Sequence, residues 1–84
     1  MSRILCDVYK SSIKADLYIY VNRAEGLDRV PEALLKQFGS PALALTFELH
    51  AERRMAREDP AVVMQNLAAH GYHLQLPPAD TWHG

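Results

Sequence analysis

From Ile4 to Tyr9 the residues alternate, with Ile4, Cys6 and Val8 on one side and Leu5, Asp7 and Tyr9 on the other, the period of two that marks a strand. After the polar stretch Lys10-Ser11-Ser12-Ile13-Lys14-Ala15, alternation returns from Asp16 to Asn22 in a run rich in aromatic and β-branched residues. The two segments predict a hairpin with a polar turn. In the register this pattern suggests, Leu17, Ile19 and Val21 share the buried face with Ile4, Cys6 and Val8. Tyr9, Tyr18 and Tyr20 then project together from the other face.

Asn22 to Arg29 is polar and contains Gly26, so it reads as a connection. Pro31 suits a first helical position, Leu34, Leu35 and Phe38 give an apolar stripe, and Gly39-Ser40-Pro41 stops the helix. From Ala42 to Leu49 the period of two resumes, with Leu43, Leu45, Phe47 and Leu49 set against small or polar neighbours. Asp59-Pro60 supplies an N-cap and a proline at the next position, Val63, Met64 and Leu67 share one face, and Gly71 closes this second helix after His70. Tyr72 to Leu76 alternates again and meets Pro77-Pro78, the signature of a short edge strand.

The order strand, strand, helix, strand, helix, strand predicts an α+β domain, with two helices packed on a three- or four-stranded, mainly antiparallel sheet. Crossover connections would make part of that sheet parallel. The expected core comprises Ile4, Val8, Leu17, Ile19, Val21, Leu34, Phe38, Leu43, Leu45, Phe47, Val63, Leu67 and Leu76. Residues 1–78 are expected to form one domain and 79–84 a loose tail. The 84 residues, 49% of them hydrophobic, are few enough for a single core that leaves little apolar material for a deep pocket.

Nine Lys/Arg against ten Asp/Glu exclude a globally basic nucleic-acid binder, so a polyanion partner needs a local cluster. One cysteine, Cys6, excludes an internal disulfide framework, and its alternation with Ile4 and Val8 makes it a small buried hydrophobe rather than a nucleophile. No apolar run approaches the ~18 residues that span a bilayer, and the start lacks a secretory apolar stretch. A cytoplasmic location without membrane contact is the expectation.

Cys6-Asp7-Val8-Tyr9-Lys10-Ser11-Ser12, Tyr18-Ile19-Tyr20-Val21, Val30-Pro31-Glu32-Ala33-Leu34, Phe38-Gly39 and the closing Gly71-Tyr72-His73-Leu74-Gln75-Leu76-Pro77-Pro78 together resemble the YcgL-domain family of small bacterial proteins. The likeness runs from about residue 4 to residue 78, and the combined order of motifs is more specific than any one of them. It implies a small α/β-type domain without established enzymatic activity, whose gene often neighbours that of ribonuclease D. It also places a basic pair at Arg53 and Arg54. His73 stands where relatives often carry tyrosine, and relatives commonly have a longer tail.

Two surfaces are candidates for nucleic acid. Arg53, Arg54 and Arg57 form the best cationic cluster, and guanidinium groups grip phosphate with paired hydrogen bonds. Against this, Glu52, Glu58 and Asp59 stand ready to neutralise them. Tyr9, Tyr18 and Tyr20, flanked by Lys10 and Lys14, would offer a stacking platform for unpaired bases, or merely stabilise strand pairing. Pro77, Pro78 and Trp82 are the candidates for docking a protein partner. The four histidines lack the spacing of a structural metal site, so no metal, cofactor or catalytic residue is assigned. The functional expectation is an accessory module that contacts nucleic acid, RNA in the first place, with single-stranded RNA as the expected partner. Its alternative is an adaptor for an RNA-processing protein.

Overall fold

A computed structural model of the 84-residue chain describes residues 3–55 and 58–77. Six elements follow one another: β1 (Ile4–Lys10), β2 (Tyr18–Asn22), α1 (Glu32–Phe38), β3 (Ala42–Leu49), α2 (Pro60–His70) and β4 (His73–Gln75). The α+β expectation holds, and the sheet has four strands in the order β3-β1-β2-β4, every pair antiparallel. The chain crosses the sheet twice, from inner β2 through α1 to edge β3, and from there through α2 to the opposite edge, β4.

The hairpin closes through Ser11 and Leu17, whose backbone N–H and C=O meet at 3.0 Å, and Asp16 takes the left-handed conformation at φ 64° that a short polar residue tolerates. That turn sets a register one residue away from the expected one. Cys6 lies opposite Asn22, Val8 opposite Tyr20 and Tyr9 opposite Ile19. Directly opposed residues share a face, so Tyr20 joins Cys6 and Val8, whereas Ile19 and Val21 join Tyr9 and Asp7. The three tyrosines therefore do not form one platform.

Each face of the sheet packs one helix. On one, Val63 and Leu67 of α2 pack with Cys6, Val8, Tyr20 and Leu49. On the other, Leu34, Leu35 and Phe38 of α1 pack with Leu17, Ile19 and Val21, and Val30, Tyr9, Leu27, Tyr72 and Leu74 complete the cluster. Pro31, extended at ψ 142°, stands as the N-cap of α1, and Ser11 Oγ donates to the Phe38 carbonyl at 2.6 Å, tying the hairpin turn to the helix end. At α2 the Asp59 carboxylate accepts from the Ala61 N–H at 2.9 Å, and Gly71, left-handed at φ 87°, returns its N–H to Asn66 and Leu67 carbonyls. A side chain at Gly71 would meet Arg29 Cβ at 2.5 Å, a second reason for glycine there.

Four expected core positions lie outside the two clusters, the first being Ile4, half-buried at the start of β1. Leu43 and Leu45 are 57% and 50% exposed, because β3 is an edge strand; Leu45 shares the Val8 face, where α2 lies over β2 and β4 instead, and Leu43, opposite Tyr9, is on the other face. The pairing of β3 with β1 also slips between Val8 and Tyr9, where Ala44 has no partner, a bulge of the kind that blunts free sheet edges. Leu76, 63% exposed, falls beyond the end of β4, which spans only three residues. Among the described residues no helix is long and apolar enough to cross a membrane.

Candidate functional site

Where α2 leaves the sheet uncovered, a cleft of about 290 Å³ opens on the Cys6 and Val8 face. Its floor follows from the register: Leu45, Val8, Tyr20 and His73 form one row across all four strands, and Gln75 lies opposite Tyr18 in the next. Leu45, Val8, Tyr20 and Gln75 line the cleft, Phe47 and Met55 add apolar wall, and Arg53, Arg54 and Glu58 border it from the segment between β3 and α2.

A polar network holds this arrangement from beneath. The Asn66 amide nitrogen lies 2.8 Å from His73 Nδ1, and His73 Nε2 lies 2.5 Å from Glu58 Oε1. With the amide donating, Nδ1 accepts, so the ring proton sits on Nε2 and is donated to the carboxylate. Both imidazole nitrogens are thus engaged and the residue is buried. His73 is accordingly a positioning residue that pins Glu58 to the sheet. Its ring meets Tyr20 edge to face at 5.6 Å, and Tyr20 meets Phe47 in the same manner at 6.3 Å. The Tyr20 hydroxyl donates to Gln75 Oε1 at 2.5 Å, which turns the Gln75 amide so that its nitrogen is the remaining hydrogen-bonding atom.

The cations are held differently. Arg53 rests its guanidinium 4.4 Å from the centre of the Phe47 ring and donates from Nη1 to the Glu48 carbonyl at 3.3 Å. Arg54 is exposed and has no partner among the described residues. Two of the acids placed to neutralise this pair are engaged elsewhere, Glu58 with His73 and Asp59 with the cap of α2. Glu48 accepts an exposed ion pair from Arg3.

Of the residues singled out in the sequence, the cleft brings together Arg53, Arg54 and Tyr20. Tyr9 packs into the α1 cluster on the far face, and Tyr18 is half-buried against the α2 cluster. Lys10 ends β1 and Lys14 sits in the hairpin turn, both exposed and neither lining the cleft. Pro77 follows β4, half-buried, while Arg57, Pro78 and Trp82 lie outside the described residues. Sequence reasoning missed Glu58, Asn66, His73 and Gln75 as a set. Cys6 is fully buried, and burial first, then the neighbouring Asp7 charge, pushes its thiol up to about 12. Among the described residues no three His, Cys, Asp or Glu side chains gather as a metal site would require.

A family model described as the YcgL domain matches residues 6–78. A YcgL domain-containing protein of Pseudomonas putida (strain W619) is 55% identical over 80 residues, covering 95% of this chain and 81% of that protein. One from Pseudomonas aeruginosa is 50% identical over 80 residues with the same shares, and one from Stutzerimonas stutzeri is 49% identical over 78 residues, 93% of this chain and 80% of that protein.

Proposed function

The chain belongs to the YcgL-domain family, and we propose that it acts as an accessory module that contacts single-stranded RNA through the Arg53 and Arg54 rim of the cleft. One observation carries this reading: two adjacent arginines, neither in an ion pair with a described acid, border an apolar cleft with an aromatic wall. Unpaired guanidinium groups seek phosphate, and unstacked bases seek aromatic or guanidinium planes, so the two needs of a single strand meet here. The reading replaces the tyrosine platform with a different surface. It keeps Arg53 and Arg54 and leaves Lys10 and Lys14 outside the contact.

The test is fluorescence anisotropy of a labelled single-stranded RNA, titrated at two salt concentrations. Affinity should fall as salt rises. Replacing Arg53 and Arg54 by alanine should flatten the logarithmic salt slope by about 1.4, at roughly 0.7 per phosphate contact on single strands. Charge reversal at both positions should abolish binding. Wild-type affinity in the reversed variant would remove the rim from the interface. Absence of binding at low salt would favour the adaptor alternative, for which the exposed Leu43, Leu45 and Leu76 are the apolar contacts on offer.

A further inference from the structure

The Gln75 side chain is a built feature that phosphate contact alone does not use. It is only 8% exposed, yet it lines the cleft, and its oxygen is occupied by the Tyr20 hydroxyl. Its amide nitrogen has no partner among the described residues. With the oxygen held by Tyr20, the amide N–H groups are turned toward the cleft, where they can donate to water or to a ligand acceptor. Beside it in the same cleft stands Glu58, whose Oε1 is fixed by His73 and whose Oε2 has no partner among the described residues. The cleft thus offers one oriented donor and one oriented acceptor between apolar walls. Arg53, held on the Phe47 ring, adds a planar guanidinium at the edge.

A flat ring that carries both an N–H and an acceptor on one edge fits that pairing, and every nucleobase has such an edge. Building on the RNA reading above, we propose that the cleft is a pocket for a single unstacked nucleobase: Gln75 donates to the base edge, Glu58 accepts from it, and Arg54 holds the adjoining phosphate. Leu45, Val8 and Met55 bury the ring, and a volume of about 290 Å³ sits at the small end of ligand pockets. His73 and Tyr20 serve as positioning residues, the first for Glu58 and the second for Gln75.

The experiment compares a labelled RNA hexanucleotide with the same sugar-phosphate backbone stripped of all its bases. Both are titrated against the wild-type chain and Gln75→Glu. That variant keeps an acceptor for Tyr20 and removes the N–H donors, and circular dichroism and a thermal melt establish that it folds. Wild type should prefer the intact RNA by roughly 5- to 150-fold, the equivalent of one stacked base. Gln75→Glu should shrink the preference to within about threefold, a ratio in which any general effect of the added charge on phosphate cancels. Equal, salt-sensitive binding of both probes would overturn the base pocket and leave the phosphate rim standing. A base preference unchanged in Gln75→Glu would overturn the assignment to this cleft. No binding of either probe would overturn the RNA reading along with it.

Discussion

On the α1 side of the sheet, Ile19, Val21 and Phe38 are fully or almost fully buried, and their neighbours in the cluster are apolar or aromatic. On the α2 side the same strands present Val8, Tyr20, His73 and Gln75, and α2 covers only the part over β2 and β4. The first face is a core with one polar pair toward β3, where Thr46 Oγ1 donates to the buried Asp7 carboxylate at 2.6 Å. The second joins a smaller core, around Val63, Leu67 and Leu49, to a polar network and an open cleft. A small domain can keep a ligand-ready surface if one side of its sheet carries most of the packing, because the other side is then released from complete coverage. Under the proposed function, stability and recognition are divided between the two faces.

That division can be broken most forcefully from the α1 side. Phe38→Ala should lower unfolding free energy by about 3–5 kcal/mol in a urea melt. RNA affinity of the protein that remains folded should not change. Next in size is a pH effect on the α2 side. The Cys6 thiol ionises near 9.0 when unfolded and is pushed up to about 12 in the fold, so its contribution is complete below pH 9 and declines as pH rises toward 12. The decline has an upper bound of about 4 kcal/mol. It should be missing from the melts of Cys6→Ala, whose pH profile between 9 and 12 is expected to be flatter than that of the wild type.

His73→Phe sharpens the comparison by removing only the network. Glu58 and Asn66 lose their shared partner, which should cost about 1–3 kcal/mol. Amide exchange at Arg53, Arg54 and Met55 should quicken more than exchange on the α1 side; uniform quickening would mean that His73 supports the whole fold rather than the cleft rim. The smallest stability effect belongs to Arg54→Ala, within about 0.5 kcal/mol for an exposed residue without a described partner. RNA binding should nonetheless weaken in that variant.

The strands and helices were legible where local chemistry marks them. Ala42–Leu49 alternates without interruption, and both ends of α2 carry their own signals, Asp59-Pro60 at the start and Gly71 at the close. Register was not legible, and the reason is physical. Alternation reports which face is buried only if the other is wet, whereas β2 is enclosed on both sides and reads Tyr-Ile-Tyr-Val with nothing to distinguish them. That apolar run was itself the clue to a doubly covered sheet. The hairpin turn, with Asp16 left-handed, then decided the pairing.

Leu43 and Leu45 look like core from spacing alone, since an edge position is a property of strand order and not of the strand. The candidate site divides in the same way. Arg53 and Arg54 stand out as neighbouring cations, and the structure keeps them together beside the cleft. The pairs Tyr20–Gln75 and Glu58–His73 arise from the placement of β4 beside β2, across 55 and 15 positions of chain, and no short-range pattern carries that information.

The central claim, that the α2 side binds and the α1 side only holds, is tested most directly by backbone amide shifts of isotope-labelled protein titrated with single-stranded RNA. Shifts gathered at Val8, Tyr20, Leu45, Phe47, Arg53, Arg54 and Gln75, with Ile19, Val21 and Phe38 unmoved, are the expected result. Shifts centred on Tyr9, Ile19 and the α1 cluster, with the cleft silent, would contradict it.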